Sequence, residues 1–388
     1  MSPSLASARS ATAAPPTAAR LRSAKGRAPI ALRLPLLAAA MASLVLGLVG
    51  GLVRLDVALP EPAANLALVH GPLMIVGFLG TVVSLERAVA LGGSAFAAPL
   101  LAAAAVAALL AGASTTLAPM LAVAASVALA AVLARLLARD PALHAAVLVA
   151  SALSWTVGNA LWAAGWPVFR VVPWWVAFLV LMIAGERLEL TRLQRRRPGQ
   201  HATFAAAAGV LLAGLATSLF AADAGPRLAG AGMVLLAAWL ARHDVALRTV
   251  RERGLARFMA VCLLAGYAWL AVAGVLWAAL GAPASGMLRD AALHAVFLGF
   301  VFGMIFAHAP VIFPSVLGTR MVYSPAFYGH VIALQATLTA RVAGDLLLWR
   351  AAQEWSGLGN ALAILLFVAA TATAVVRGRI GDAGRRNT

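Results

Sequence analysis

What most constrains this chain is a series of apolar runs, each near the length that crosses a bilayer as a helix, set end to end with short breaks. They lie at residues 34–53, 66–85, 96–112, 117–134, 142–164, 171–189, 203–222, 228–241, 258–281, 290–313, 325–349 and 356–376. The breaks hold Pro60 and Pro62, Gly92–Gly93, Asp140–Pro141 and Pro283, residues that interrupt regular structure. In hydrocarbon every backbone polar group needs an internal partner, which a helix supplies by itself. The expected fold is therefore all-α, a polytopic membrane bundle of about 12 transmembrane helices.

The basic residues test this count independently, because cytoplasmic loops collect Lys and Arg. With the N-terminus inside, the inner segments and tails hold 24 basic residues, the outer loops hold five (Arg54, Arg170, Arg227, Arg289 and Arg350), and Arg341 falls within a span. Adding or removing one helix would scramble that alternation, so N and C termini are both expected to be cytoplasmic. The expected division is a disordered basic tail over 1–33, a membrane domain over 34–376, and a basic tail over 377–388. The expected setting is the bacterial inner membrane, multi-pass, with membrane lipid as the first partner.

A net charge of +17 would suggest nucleic acid in a soluble protein. Here only 11% of residues are charged and the cations sit in loops, so no nucleic-acid partner is expected. The single cysteine, Cys262, excludes an internal disulfide and multi-cysteine metal sites. It lies in an apolar run and reads as a small packed side chain.

Ionisable residues inside apolar spans are costly and mark candidate sites. The second span reads LALVHGPLMIVGFLGTVVSLERAVAL, with His70, Met74, Gly77, Thr81 and Ser84 at helical spacing on one stripe. Small residues there would let a planar ligand approach closely. His70 and His294 are both expected near the outer ends of their spans, at matched depth, as needed to clamp one haem from both faces. Each also admits the plainer reading of an interfacial histidine making an ordinary hydrogen bond.

His294 and His308 are nearly a whole number of turns apart, so both are expected on one face, about 21 Å apart at ~1.5 Å per residue, too far to share a metal. His308 and His330 form a second expected pair in the inner half, for a second haem, a copper ion or a proton relay. Arg341 and Asp345 are i, i+4 partners that can neutralise one another; Arg341 is alternatively a propionate contact. Glu86–Arg87 and Glu186–Arg187 are expected as ion pairs at the inner surface. His144, His201 and His243 are expected in solvent, Trp166, Trp174 and Trp175 in an aromatic belt, and Asn159 in an interhelical hydrogen bond.

Two segments resemble the haem-binding subunit I of haem–copper oxidases. HGPLMIVGF is similar to that family's second helix and LHAVFLGFVFGMIFAHAPVIFPSVLG to its tenth. The resemblance implies a low-spin haem held by His70 and His294. The tenth and eleventh spans look still more like NnrS, a membrane haem protein associated with nitric-oxide metabolism, with Arg341 late in the eleventh span. The sixth- and seventh-span histidines that hold copper in subunit I are lacking, which argues against oxygen reduction at a haem–copper centre. Relative to NnrS, Gly71–Pro72 replaces the acidic residue expected after the second-span histidine, and the Gly-His-Thr signature at the tenth-span exit is missing.

The leading expectation is thus a membrane haem protein of NnrS or subunit-I-like type. Its haem b is bound by His70 and His294 with Met74, Gly77 and Arg341 around it; His308 and His330 form a further metal site. It would serve electron transfer or nitric-oxide-related redox or sensing, with a redox partner protein. The alternatives are a proton-coupled secondary transporter using His308, His330, Arg341 and Asp345, and an assembly or stress factor for respiratory enzymes.

Overall fold

A computed structural model describes residues 30–57, 60, 63–193 and 198–386. Among them there is no strand. The long helices are α1 (Ile30–Val53), α2 (Leu66–Leu91), α3 (Gly93–Leu110), α4 (Leu117–Arg139), α5 (Leu143–Ala163), α6 (Val168–Leu190), α7 (Gln200–Ser218), α8 (Ala224–His243), α9 (Gly254–Leu280), α10 (Met287–Leu317), α11 (Tyr328–Leu346) and α12 (Arg350–Arg386).

Eleven of these are long and apolar enough to cross a membrane. The exception is α11, 19 residues long but diluted by His330, Gln335, Thr337, Arg341 and Asp345. The fold is an all-α polytopic membrane bundle. Residues 1–29 of the expected basic tail, and Arg195, Arg196 and Arg197, lie outside the described residues.

The boundary expected at residue 377 is not a helix end. The last helix runs 37 residues to Arg386, about 55 Å at ~1.5 Å per residue, well beyond a hydrocarbon core of roughly 30 Å. Both ends of the described chain reach the same end of the bundle. Arg33 Nη1 donates to the Ser315 carbonyl at 3.4 Å, and Val322 N donates to the Ala374 carbonyl at 3.5 Å. At the opposite end Arg350 pairs with Asp56.

Chain neighbours pack as antiparallel pairs, notably α4 with α5, α5 with α6, α7 with α8, α8 with α9, and α11 with α12. The most enclosed helix is α6, whose Trp175 and Phe178 are fully buried. This removes Trp174 and Trp175 from the expected aromatic belt: both are buried, and Trp175 Nε1 donates to Asn159 Oδ1 at 2.9 Å. Asn159 Nδ2 in turn donates to the Ala122 carbonyl at 2.9 Å, joining α4, α5 and α6 as an interhelical bond of the kind expected. Cys262 is buried.

Without a hydrophobic drive between helices in lipid, association relies on close packing of small residues. At the α8–α9 crossing a Cβ added to Gly230 would lie 2.5 Å from the Ala278 backbone nitrogen. No side-chain rotation relieves a backbone contact. Gly230→Val is therefore expected to destabilise the bundle by about 1–3 kcal/mol or more, as overpacking does. Thermal unfolding in detergent measures it, and an unchanged midpoint would mean that α8 and α9 separate at no cost.

The two Glu-Arg dyads do not pair internally. Arg87 of α2 pairs with Glu186 of α6, and Arg187 holds Asp244 through bonds of 2.7 and 2.8 Å. Adjacent residues on a helix point about 100° apart, so each dyad member meets a different neighbour. His144, expected in solvent, is buried, with Nε2 4.0 Å from Glu189.

Candidate functional site

The helices carrying His70 and His294 share an unusual backbone. Just after each histidine the chain winds as a π-helix, over Leu73–Gly80 in α2 and Ala295–Val301 in α10. Its i→i+5 bonding turns the chain less per residue than an α-helix, and such segments gather at functional sites. Phe78 of the first segment stacks on Phe302, the residue that follows the second, at 6.0 Å and 28°.

Beside this contact lies a cavity of about 360 Å³, within the ~300–1,000 Å³ range of small-molecule and cofactor sites. His70 and His294 both line it, as do Met74 on α2 and Phe297 and Phe302 on α10. The opposite wall comes from α12, through Gln353, Gly357 and Asn360.

Each histidine has one nitrogen committed. His70 Nδ1 lies 2.7 Å from the Gly47 carbonyl, and His294 Nδ1 lies 2.9 Å from the Asp290 carbonyl and 3.1 Å from its Oδ1. A carbonyl oxygen can only accept, so Nδ1 carries the proton. In the neutral ring Nε2 is then left with its lone pair. This is the arrangement of metal-ligating histidines, whose second nitrogen is tied to a carbonyl or carboxylate. The α1 backbone comes close enough to fix the His70 ring because position 51 is glycine: a Cβ there would sit 3.1 Å from His70 Cε1.

Of the residues expected around a ligand, Met74 is at the cavity and Gly77 is not. A Cβ on Gly77 would meet Ser43 Oγ and Val106 Cγ2 at 2.7 Å, so this face of α2 packs against α1 and α3. The expected stripe assumed 3.6 residues per turn. The π-helix shifts the phase, and α2 lines the cavity with Leu68, His70, Gly71, Met74, Ile75 and Leu79.

The same shift overturns the expectation that His294 and His308 share a face. Seven π-helical residues lie between them. His294 faces the cavity, whereas His308 lies within electrostatic reach of Glu186, Arg187 and Asp244. Nor do His308 and His330 converge. The His330 ring is boxed by Phe306 at 4.7 Å, Phe367 at 5.3 Å, Phe327 at 6.0 Å and Phe258 at 6.3 Å, and neither nitrogen has a hydrogen-bond partner among the described residues. Phe306 thus faces His330, and His308, two residues further along the α-helix, is turned about 200° away. Among the described residues no group of three or more His, Cys, Asp and Glu side chains could hold a metal ion.

Arg341 lines the cavity but does not pair with Asp345 as expected. Its Nε and Nη2 grip Asp290 at 2.6 and 2.9 Å. Asp290 comes within reach because it lies one turn before His294 on α10, which packs against α11. Asp345 is buried beside Asp290 and Gln353. Arg54, Arg289 and Arg350 add three more guanidinium groups to the cavity lining. Arg350 is neutralised by Asp56 and Glu354. Arg289 donates to the Pro283 carbonyl at 2.9 Å, and among the described residues neither it nor Arg54 forms an ion pair with a carboxylate.

Sequence reasoning missed Asp290, Gln353 and Asn360. Two signals were present: Asp290 is four residues before His294, and Gln353, Gly357 and Asn360 recur at i, i+4 and i+7 on the last span.

Residues 33–376 match the family model described as Domain of unknown function (DUF8744). No curated protein and no solved structure matches the chain.

Proposed function

The chain belongs to the DUF8744 family, and we propose that it is an integral membrane haem protein in which His70 and His294 are the axial ligands of one b-type haem. The observation that carries this reading is the cavity itself. Two imidazoles border it, each with Nδ1 anchored and Nε2 available. The cationic rim suits a dicarboxylate: Arg54 and Arg289 carry two positive charges that form no ion pair among the described residues. They replace Arg341 as the main propionate contacts, since two of the Arg341 nitrogens are bound to Asp290.

Held by both histidines, a haem would supply electron-transfer chemistry, or nitric-oxide-linked redox or sensing, in preference to substrate turnover. The similarity of the His70 and His294 segments to subunit I and NnrS points the same way. The arginine bias supports an inner-membrane setting with the cavity at the outer side, open to a redox partner protein. A proton-coupled transporter has less support, because of His308, His330, Arg341 and Asp345 only Arg341 lines the cavity.

Protein purified in detergent after expression with haem available is expected to show a Soret band with the low-spin features of two histidine ligands. A colourless preparation removes the haem. If deletion of such a protein also lowered the activity of a respiratory enzyme, an assembly factor would become the better reading.

A further inference from the structure

Next to the Arg341–Asp290 pair lies a carboxyl group that the haem reading does not use. Asp345 sits one turn after Arg341 on α11 and has no exposed surface. Neither of its oxygens has a hydrogen-bond partner among the described residues, so it bonds to neither cavity histidine. The polar groups facing it are Asp290 of α10, Gln353 of α12 and, on its own helix, Arg341. All three line the cavity.

Arg341 is the one cation in this set, and Asp290 takes it through bonds of 2.6 and 2.9 Å. His294 Nδ1 also lies 3.1 Å from Asp290 Oδ1, which fits Asp290 to remain ionised. One guanidinium therefore faces two carboxyl groups. A buried carboxylate without donors or a counter-ion is expensive, above all inside a membrane bundle. Two carboxylates in one water-poor pocket do not both ionise. Gln353 does not change this, because a neutral amide can donate but cannot balance a charge. Nor can two carboxylates bond to each other, since both only accept until one carries a proton. An ionised carboxylate accepts at about four positions. Arg341 Nε and Nη2 and His294 Nδ1 occupy three on Asp290, which leaves room for one O–H.

We propose that Asp345 is a proton-binding site, a neutral carboxylic acid at neutral pH whose O–H is donated to Asp290. The proton turns Asp345 from a second anion into the donor that completes the Asp290 shell. Asp345 is thus a positioning residue, acting through the carboxylate that holds Arg341 and His294. It does so whether or not the cavity takes a haem.

Infrared spectroscopy of the full-length protein, prepared without haem and with carbon-13-labelled aspartate side chains, tests the proton. An ordinary aspartic acid titrates near ~3.9 and shows only carboxylate bands at neutral pH. Here a carboxylic-acid C=O band that shifts with the label is expected at neutral pH, and it is lost in Asp345→Asn. Labelling aspartate alone keeps the glutamates out of the shifted signal. No label-shifted acid band, or one that survives in Asp345→Asn, overturns the proposal.

Unfolding in detergent tests the positioning. Asparagine is a neutral donor of the same size, so Asp345→Asn is expected at the wild-type midpoint, whereas Asp345→Ala unfolds lower. An Asn variant that falls as far as the Ala variant means that a charge was lost, and equal midpoints for all three remove the positioning role. A colourless protein that shows the acid band keeps this site and loses only the haem; a Soret band without the acid band does the reverse.

Discussion

If His70 and His294 hold a haem as proposed, replacing His294 by glycine is expected to abolish the Soret band of the purified protein, and replacing His70 by glycine to do the same. Each change removes one of the two Nε2 lone pairs bordering the cavity. The expected loss of haem affinity exceeds the roughly 10–100-fold that follows when only a hydrogen-bond partner of a metal ligand is removed. His294 bonds within its own helix to Asp290, and the one bond His70 makes between helices, to the Gly47 carbonyl of α1, is a small part of the α1–α2 contact. Circular dichroism should therefore stay unchanged. Free imidazole added to either glycine variant fills the vacated space and restores the low-spin spectrum, which a structural role could not explain. If both variants keep a wild-type spectrum, the axial assignment is wrong.

The second large effect is at the other end of the bundle. Asp244→Ala is expected to cost about 3–5 kcal/mol, the usual consequence of stranding one member of a buried ion pair. Arg187 and Asp244 are each 3% exposed. Asp244 also accepts from the Ala246 backbone nitrogen at 2.7 Å, so its loss orphans three donors, Arg187 Nε and Nη2 and Ala246 N. The exposed pair between Arg192 and Asp140, at 3.1 Å, is the control. The bond from Arg192 holds the Asp140 carboxyl below the usual carboxylate range, so it is ionised at neutral pH. Water nevertheless screens the pair, and Asp140→Asn should leave the unfolding midpoint unchanged. Equal midpoints for the two variants would show that burial adds nothing to the Arg187 pair.

The number and nature of the long helices were legible in the amino-acid order, because in a bilayer an apolar run has to satisfy its own backbone and can do so without reference to the rest of the chain. His70, Met74 and His294 were legible too, since burying a histidine in such a run demands a reason wherever the helix ends up packing. The phasing of those helices, and what each polar group meets, came from tertiary packing. Two π-helical stretches, invisible to a 3.6-residue count, turned Gly77 away from the cavity, brought Leu79 to it and put His308 on a different face of its helix from His294. Arg341 found Asp290, and not Asp345 one turn away on its own helix, because a carboxylate on a neighbouring helix offered two oxygens in the plane of the guanidinium. Asn360 is ordinary in the sequence. Its side-chain contact with Thr337 Oγ1, at 2.7 Å, exists only because α11 and α12 meet in this register.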